Sequence, residues 1–285
     1  MLEKLIFSFV CVMAFLSASG ADAVFNYPDS VSRAPGSNLR VVSYNILAKK
    51  WEHQNGARKI GERAPDVAKI IHQLAPDFAG LQELDPIWYK LLADAIKPWK
   101  FAENPYDKNM CAVIYDSRKY RQLDGGIFPY VTKNRAIRCL RWGLFEDIKN
   151  GKKFVITNTH WELKPVRRLK DAEIMAASLK KLQKRFPGIP FFCTGDYNST
   201  RDSEEFTKLL KLSGFKDAVQ NAEITENAEF SSTIHPVERK PRFNKTHIDH
   251  IVFYGDVKPV SAKLGIGGLL MQSSDHLPII ADFEI

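Results

Sequence analysis

Polar side chains that can bind metal ions and phosphate follow apolar runs at five places in the sequence. Each run is strand-like in length or composition, and acidic, amide or imidazole groups come directly after it. The five segments are Ser43-Tyr44-Asn45, Leu81-Gln82-Glu83, Asn158-Thr159-His160, Gly195-Asp196-Tyr197-Asn198 and Ser274-Asp275-His276. Because α/β sheets place ligands at strand ends, we expect these groups to share one edge of the fold.

Each segment alone has an ordinary structural explanation, since a Glu after a strand is commonly solvated and Asp-x-Asn commonly forms a turn. Their combination carries more information. The Glu83 carboxylate suits a hard cation such as Mg²⁺, which keeps waters and substrate oxygens as further ligands. His160 and His276 are not preferred ligands of such an ion, so they are available for proton transfer or phosphate contact. This division of roles predicts metal-assisted hydrolysis of a phosphodiester.

The spacing of apolar residues predicts the elements that position these groups. Strands are predicted at 39–47, 78–82, 140–148, 153–161, 189–194, 247–254 and 277–285. Helices are predicted from Ala64 to the break at Pro76, over 166–186, and from the cap at Ser203 to about Leu212. Helical crossovers and a hairpin at Asn150-Gly151 together predict an α/β fold with mixed sheets.

The ordered motifs resemble those of the endonuclease/exonuclease/phosphatase superfamily, which includes DNase I-like nucleases, sphingomyelinases, inositol-phosphate phosphatases and deadenylases. The order S-Y-N, L-Q-E, N-T-H, G-D-Y-N, I-D-H and S-D-H-L-P-I runs through residues 39–285. The resemblance implies a four-layer α/β sandwich of the DNase I-like type. In that fold two packed mixed β-sheets are flanked by helices, and the site lies at one rim of the sheets.

The resemblance also implies a metal side of the site. Glu83 would be the principal metal ligand, and Asn45 would lie beside the metal or its water. Asp275 would support the metal or its water shell. The expected ion is Mg²⁺, with Mn²⁺ or Ca²⁺ as alternatives.

Five further residues take reaction roles from the same resemblance. Asp196 would align or deprotonate the attacking water, and Asn198 would hold a phosphate oxygen. His276 would stabilise charge on the scissile phosphate while Asp249 orients its ring. His160 would bind phosphate or act as general acid for the leaving oxygen.

Aromatic and basic residues near the motifs suggest contacts to substrate. Trp161 stands where many relatives carry Leu, and we expect it to widen an aromatic surface that stacks on a base or covers a head group. Arg138, Arg141 and Trp142 lie on the strand before the hairpin. One of the two arginines would reach a substrate phosphate, or would form a surface ion pair.

Charge and composition leave the substrate class open. The formal net charge of +8 suits a polyanionic substrate or an anionic surface, and equally aids solubility. We expect a phosphate-ester substrate, with nucleic acid as the first class. The alternatives are a phospholipase C-type or sugar/inositol-phosphate hydrolase and, less favoured, a non-catalytic binding module. No apolar hairpin for membrane insertion is evident.

The N-terminal residues predict export. Residues 1–23 combine a lysine, an apolar run of about a dozen residues and an Ala21-Asp22-Ala23 sequence, the layout of a signal peptide. The run is shorter than the ~20 residues that span a bilayer. We therefore expect a secreted or periplasmic protein without a stable membrane anchor. We also expect a monomer. It would have an irregular segment at 24–38 and a catalytic domain at 39–285.

Three cysteines follow the predicted signal peptide, at positions 111, 139 and 193. Their number is odd, their spacing is wide and no C-x-x-C occurs. This pattern matches neither a disulfide framework nor a zinc site. It predicts three buried apolar cysteines in preference to one disulfide with a leftover thiol.

Overall fold

The computed structural model describes residues 31–53, 56–103, 110–130, 138–236, 238–243 and 246–285. The predicted signal peptide at 1–23 lies outside the described residues, so export stays a prediction. Among the helices of the described residues, none combines the length and apolar character needed to cross a bilayer.

The described residues form thirteen strands and six α-helices. The strands are β1 (Leu39–Asn45), β2 (Phe78–Gln82), β3 (Trp99–Phe101), β4 (Cys111–Asp116), β5 (Tyr120–Pro129), β6 (Cys139–Asp147), β7 (Lys153–His160), β8 (Phe191–Asp196), β9 (Lys216–Asp217), β10 (Ile224–Glu226), β11 (Asp249–Tyr254), β12 (Lys258–Leu264) and β13 (Ile279–Glu284). The helices are α1 (Ile60–Leu74), α2 (Pro86–Leu92), α3 (Pro165–Arg185), α4 (Glu204–Ser213), α5 (Ala218–Asn221) and α6 (Gly268–Ser273), and a short 3-10 turn spans Lys49–Trp51.

The strands make two mixed sheets that pack face to face. The first has the order β10-β12-β13-β1-β2-β4-β3 and the second β5-β6-β7-β8-β11-β9. Aromatic rings join the inner faces, with Phe78 and Phe145 5.0 Å apart between ring centroids and Phe192 and Phe283 4.8 Å apart. Helix α1 shares the core of the first sheet, and α3 and α4 cover the outer face of the second. The predicted four-layer sandwich is confirmed.

Helix α1 begins at Ile60, four residues before the predicted start at Ala64. The Glu52 carboxylate accepts a hydrogen bond from the Ile60 N–H at 2.8 Å, which satisfies one of the free donors of the first turn. This cap comes from eight residues upstream. The local start signal at Ala64-Pro65 therefore predicted the helix but not its first turn.

A polar junction joins the two sheets beneath the site, and we call it the Asn158 junction. The Asn158 Oδ1 accepts from Gln82 Nε2 at 2.7 Å and from Thr194 Oγ1 at 3.2 Å, and its amide nitrogen donates to two backbone carbonyls. Gly80 lies against it: a Cβ there would be 1.9 Å from Thr194 Oγ1. The sheets approach closely here because residue 80 has no side chain.

The three cysteines are buried and free, as predicted. They lie on different strands, β4, β6 and β8. Burial raises the pKa of the Cys193 thiol to about 12, so that this sulfur stays protonated at neutral pH.

Candidate active site

The strand ends that carry the predicted residues meet at one rim of the sandwich. Strands β1 and β2 are parallel, as are β7 and β8, so each pair ends at the same edge. Strand β11 runs antiparallel to β8 and places Asp249 opposite Asp196. The segment 274–276 differs from the prediction, because it follows helix α6 and precedes β13. It still reaches the rim, since β13 is antiparallel to β1.

The Asp196 carboxylate is the centre of the site. Its Oδ2 lies 3.1 Å from Asn45 Nδ2, 3.3 Å from His160 Nε2 and 3.8 Å from His276 Nε2. Its Oδ1 accepts the Asn198 backbone N–H at 2.9 Å. One buried carboxylate therefore contacts an amide from the first sheet and an imidazole from each sheet.

Asp249 and His276 form a carboxylate–imidazole pair. The Asp249 Oδ2 lies 2.8 Å from His276 Nδ1, and both side chains are buried. This contact leaves His276 Nε2 facing Asp196. His247 takes no part in this pair, because β11 begins at Asp249 and His247 Nε2 lies 2.9 Å from the Ala228 carbonyl oxygen.

Glu83 and Asn45 come from the ends of β2 and β1. One Glu83 oxygen accepts the Ala48 N–H at 2.8 Å, and the other lies 3.3 Å from Asn45 Nδ2. Glu83 has φ +62, a left-handed conformation uncommon for a residue with a long side chain. Ser274 Oγ donates to the Asn45 carbonyl at 2.6 Å and brings the half-buried Asp275 to this side.

Asn45 presents nitrogen rather than oxygen to the carboxylates. Its Oδ1 accepts the Leu47 N–H at 3.0 Å, which fixes the amide orientation and points Nδ2 at Glu83 and Asp196. Asn45 therefore lies beside Glu83, the predicted principal metal ligand, and its place beside a metal or its water stays a prediction. Asn45 acts as a hydrogen-bond donor that joins two carboxylates, and it does not offer its oxygen as a metal ligand.

Asn198 lies in the turn after β8 with φ +49, a conformation that asparagine tolerates. Its side-chain nitrogen donates to the Trp161 carbonyl at 2.9 Å and keeps a second N–H for another acceptor. Trp161 itself is fully buried and packs edge-on against Tyr197. The prediction of an exposed aromatic surface at Trp161 is wrong, because α3 and α4 cover this ring.

Arg141, on β6, and Arg138, just before β6, differ in exposure. Arg141 and Trp142 are buried within the fold. Arg138 precedes the first residue of β6 and is half-buried at the rim. Of the two predicted candidates for phosphate contact, Arg138 is the one at the site edge.

Burial and neighbouring charges shift the pKa values of the titratable groups in the site, some upwards and one downwards. Burial, with the Asp249 charge, raises the pKa of Asp196 to about 7. The pKa of His276 is raised well above its usual value: burial opposes the shift, and the Asp249 and Asp196 charges outweigh it. Burial, with the Arg138 and His276 charges, lowers the pKa of His160. His276 is therefore the charged imidazole at neutral pH and His160 the neutral one.

The donor set fits a divalent cation. Donor atoms of Asp196, Asp249 and His276 all lie within 4.8 Å of one another, and Asp249 Oδ1 is buried without a hydrogen-bond partner in the described residues. Glu83 and Asp275 add two carboxylates from the first sheet, which also supplies His276. Four carboxylates face one charged imidazole, an excess of negative charge that a hard cation would neutralise.

The prediction missed two serines that hold the site together. Ser232 Oγ accepts the backbone N–H groups of Ile248 and Asp249, at 3.0 and 3.3 Å, and so fixes the start of β11. Ser274 belongs to the S-D-H motif, and its hydroxyl anchors the segment that carries His276 through the Asn45 carbonyl. Loop serines carry no periodic signal, so spacing does not reveal their partners.

A buried carboxylate on α3 should make the stability of the fold depend on pH. Asp171 accepts the Glu162 N–H at 2.8 Å, and burial raises its pKa to about 6. The folded state binds this proton more tightly than the unfolded chain, so its contribution to stability falls as pH rises from about 4 to 6. We expect Asp171→Asn to raise Tm relative to wild type at pH 7 by about 2–4 °C, and by less at pH 4.

Thermal melts of the two proteins between pH 4 and 8 measure this difference. Asp256→Asn, at an exposed carboxylate, is the control and should leave the difference near zero throughout. A gap between Asp171→Asn and wild type that is constant with pH would contradict the assignment.

A paired-sheet sandwich whose rim gathers carboxylates, amides and imidazoles has the framework of a phosphate-ester hydrolase. The family model described as the Endonuclease/Exonuclease/phosphatase family matches residues 42–276. The chain belongs to this family and so stands among enzymes that hydrolyse phosphate esters.

Relatives share the fold at low sequence identity. The chain is 24% identical to Protein angel of Drosophila melanogaster over 206 residues, 64% of this chain and 58% of that protein. It therefore spans less than two thirds of this relative. The structure of a Bacteroides thetaiotaomicron mannosyl-6-phosphatase superposes with a TM-score of 0.73 at 19% identity, covering 86% of this chain and 99% of that one. D. rerio TDP2 complexed with a single-strand DNA product gives a TM-score of 0.67 at 18% identity, with coverage of 87% and 99%.

Proposed function

We propose that this protein is a divalent-metal-dependent phosphodiesterase with nucleic acid as its first substrate class. The observation that carries the proposal is the position of Asp196 Oδ2, between the imidazoles of His160 and His276 and beside the Glu83–Asn45 pair. A buried carboxylate with a raised pKa, surrounded by donors, suits the task of holding and deprotonating a water molecule.

The imidazoles take different parts in this proposal. The charged His276 ring, held at Nδ1 by Asp249, presents Nε2–H to a phosphate oxygen and stabilises negative charge that develops there. The neutral His160 ring is a poor acid near pH 7, so we assign it to hydrogen bonding with Asp196 or phosphate. Asn198 keeps one amide N–H for a second phosphate oxygen.

Glu83 and Asp275 are the groups we assign to the metal. The Asp249 carboxylate and His276 Nδ1 already use each other at 2.8 Å, so an ion between them would break that contact. Asn45 fixes the Glu83 and Asp196 carboxylates relative to each other, because its Nδ2 donates to both. When bound, the cation would supply charge neutralisation and polarise the phosphate.

Glu83→Gln tests the metal assignment. The amide keeps an oxygen for the Ala48 N–H but loses the negative charge, so we expect the Mg²⁺ concentration for half-maximal activity to rise about 10–100-fold. The rise in Tm that saturating Mg²⁺ gives the wild type should shrink in parallel. Glu62→Gln, at an exposed carboxylate on α1, is the matched control. An unchanged metal dependence in Glu83→Gln would place the ion elsewhere.

A substrate panel tests the proposed activity. Purified protein is assayed with Mg²⁺, Mn²⁺ or Ca²⁺ against plasmid DNA, RNA, sphingomyelin and bis-p-nitrophenyl phosphate, with and without chelator. We expect metal-dependent cleavage of the generic diester and of nucleic acid. Cleavage of lipid alone would favour the phospholipase C-type alternative, and cleavage of the diester with chelator present would contradict the metal mechanism.

A further inference from the structure

A buried arginine on α1 ties three separate chain segments together. Arg63 lies in the first turn of this helix and is fully buried. Its guanidinium donates to four backbone carbonyls: Nε to Arg58 at 2.9 Å, Nη1 to Ile46 at 2.8 Å and to Ser273 at 2.9 Å, and Nη2 to Leu47 at 3.0 Å. These hydrogen bonds offset the cost of burying the charge. The planar guanidinium thus fixes the carbonyls relative to one another.

Two of the three segments carry groups of the candidate site. The first segment directly follows Asn45 and continues to Ala48, whose N–H donates to Glu83 at 2.8 Å. The second is the end of helix α6 at Ser273, which leads to Asp275. A displacement of either segment would therefore move side chains that belong to the site.

The first segment has a strained backbone that two donors hold in place. Leu47 has φ +59, a left-handed conformation uncommon for a branched apolar residue. Its carbonyl accepts from Arg63 and also from Trp88 Nε1 at 2.9 Å, and the Trp88 ring lies 5.0 Å from the guanidinium carbon. Such a conformation persists only where the surroundings determine it. Arg63 and Trp88 therefore hold the backbone that directs the Ala48 N–H to Glu83.

Arg40 offers a comparison on the same part of the first sheet. It is equally buried and lies near the beginning of β1, at the end opposite Asn45. Its guanidinium donates to three backbone carbonyls and one carboxylate, those of Val31, Ser32, Leu74 and Asp282. None of these four acceptors belongs to the candidate site. The two buried arginines thus hold the two ends of one strand, and Arg63 holds the end that bears the site.

We propose that Arg63 is a positioning residue for the divalent cation, because it holds the backbone that places the Glu83 and Asp275 carboxylates. This inference rests on the proposed function, which assigns the cation to these two groups. Arg63 acts through backbone carbonyls and the Ala48 N–H, so it needs no contact with the ion. A lysine at position 63 would keep the charge but offer one nitrogen in place of three. It could not donate to all four carbonyls in their present positions.

Binding of Mn²⁺ to the protein alone tests this role without requiring turnover. By isothermal titration calorimetry, Arg63→Lys should bind Mn²⁺ about tenfold more weakly than wild type, as is typical when groups behind the metal ligands are displaced. Glu83→Gln, titrated in parallel, measures the binding that remains when the assigned principal ligand has lost its charge. Thermal melts without metal record how much stability each variant loses.

Arg40→Lys is the matched control. It replaces the other buried guanidinium on β1 and should lower Tm as Arg63→Lys does, yet bind Mn²⁺ with wild-type affinity. Trp88→Phe is a milder variant, because it keeps an aromatic ring and removes the Nε1 donor to the Leu47 carbonyl. We expect it to weaken Mn²⁺ binding about threefold. It decides the test if Arg63→Lys is unfolded at the temperature of the titration.

Wild-type affinity for Mn²⁺ in folded Arg63→Lys, or in Trp88→Phe where Arg63→Lys is unfolded, would overturn the proposal. An equal loss of affinity in Arg40→Lys would also overturn it, because the effect would then follow from lost stability. A wild type that binds no Mn²⁺ would refute the metal assignment and this role with it. Weaker Mn²⁺ binding in Arg63→Lys, with no diester cleaved by the wild type, would support the positioning role and refute the proposed activity.

Discussion

Replacement of Asp196 by asparagine should lower kcat on a phosphodiester about 10³-fold while the protein stays folded. The substitution keeps the shape of the side chain and an oxygen for the Asn198 N–H, but removes the group that can accept a proton from water. Removing one positioned acid–base or charge-stabilising group of this kind typically costs ~10²–10⁴-fold.

Stability should not fall in parallel. The pKa of Asp196 is about 7 in the folded protein and near 4 in an unfolded chain. The ionised carboxylate therefore weakens the fold as pH rises through this interval. An amide carries no such cost, so we expect the Tm of Asp196→Asn at pH 8 to equal or exceed that of wild type.

Steady-state kinetics and thermal melts at pH 8 measure the two effects. Asp202→Asn, at an exposed carboxylate six residues further along the chain, is the matched control and should alter neither. Full activity in Asp196→Asn would show that another group positions the water.

Gly80→Ala should destabilise the protein by about 3 kcal/mol, at the upper end of the range for overpacked cores. The new Cβ would lie 1.9 Å from Thr194 Oγ1 and 2.6 Å from Asn158 Oδ1, so the two sheets must separate or the Asn158 junction must break. For a domain of this size the loss corresponds to a fall in Tm of about 6–12 °C. Denaturant titration measures the free energy of unfolding directly.

Gly61→Ala is the control, because a Cβ at that position in α1 meets nothing within 4 Å. Alanine is the better helix former, so this variant should gain ~0.5–1 kcal/mol. Adding Thr194→Ala to Gly80→Ala removes the closest contact and should recover part of the loss. A neutral Gly80→Ala would mean that the sheets do not meet as closely as described.

The fold was largely predictable where strands are buried and apolar. Strand β2 was predicted at its observed bounds, and β6, β7 and α3 within one residue, because buried strands and amphipathic helices leave clear patterns. Helix α2 was not predicted, although Asp85 and Pro86 give a start signal that the structure bears out, with the Asp85 carboxylate accepting the Ile87 and Trp88 N–H groups. Its short length left too little periodicity to identify.

The site was predictable in its residue types but not in its contacts. Side-chain chemistry at strand ends predicted that Asp196, His160 and Glu83 belong to one site. Spacing could not reveal that Asn45 turns its nitrogen inwards, because the Leu47 N–H determines that orientation. It likewise missed the burial of Trp161, which depends on α3 and α4 packing over the ring.

The site draws on both sheets: Glu83, Asn45 and His276 come from the first, and His160, Asp196 and Asp249 from the second. Neither sheet by itself carries a complete set of reacting groups. With the proposed roles, catalytic competence would be acquired only when the two sheets pack together, and a chain that has folded one sheet alone would be inactive. For a phosphate-ester hydrolase, this would couple the onset of activity to the completion of folding.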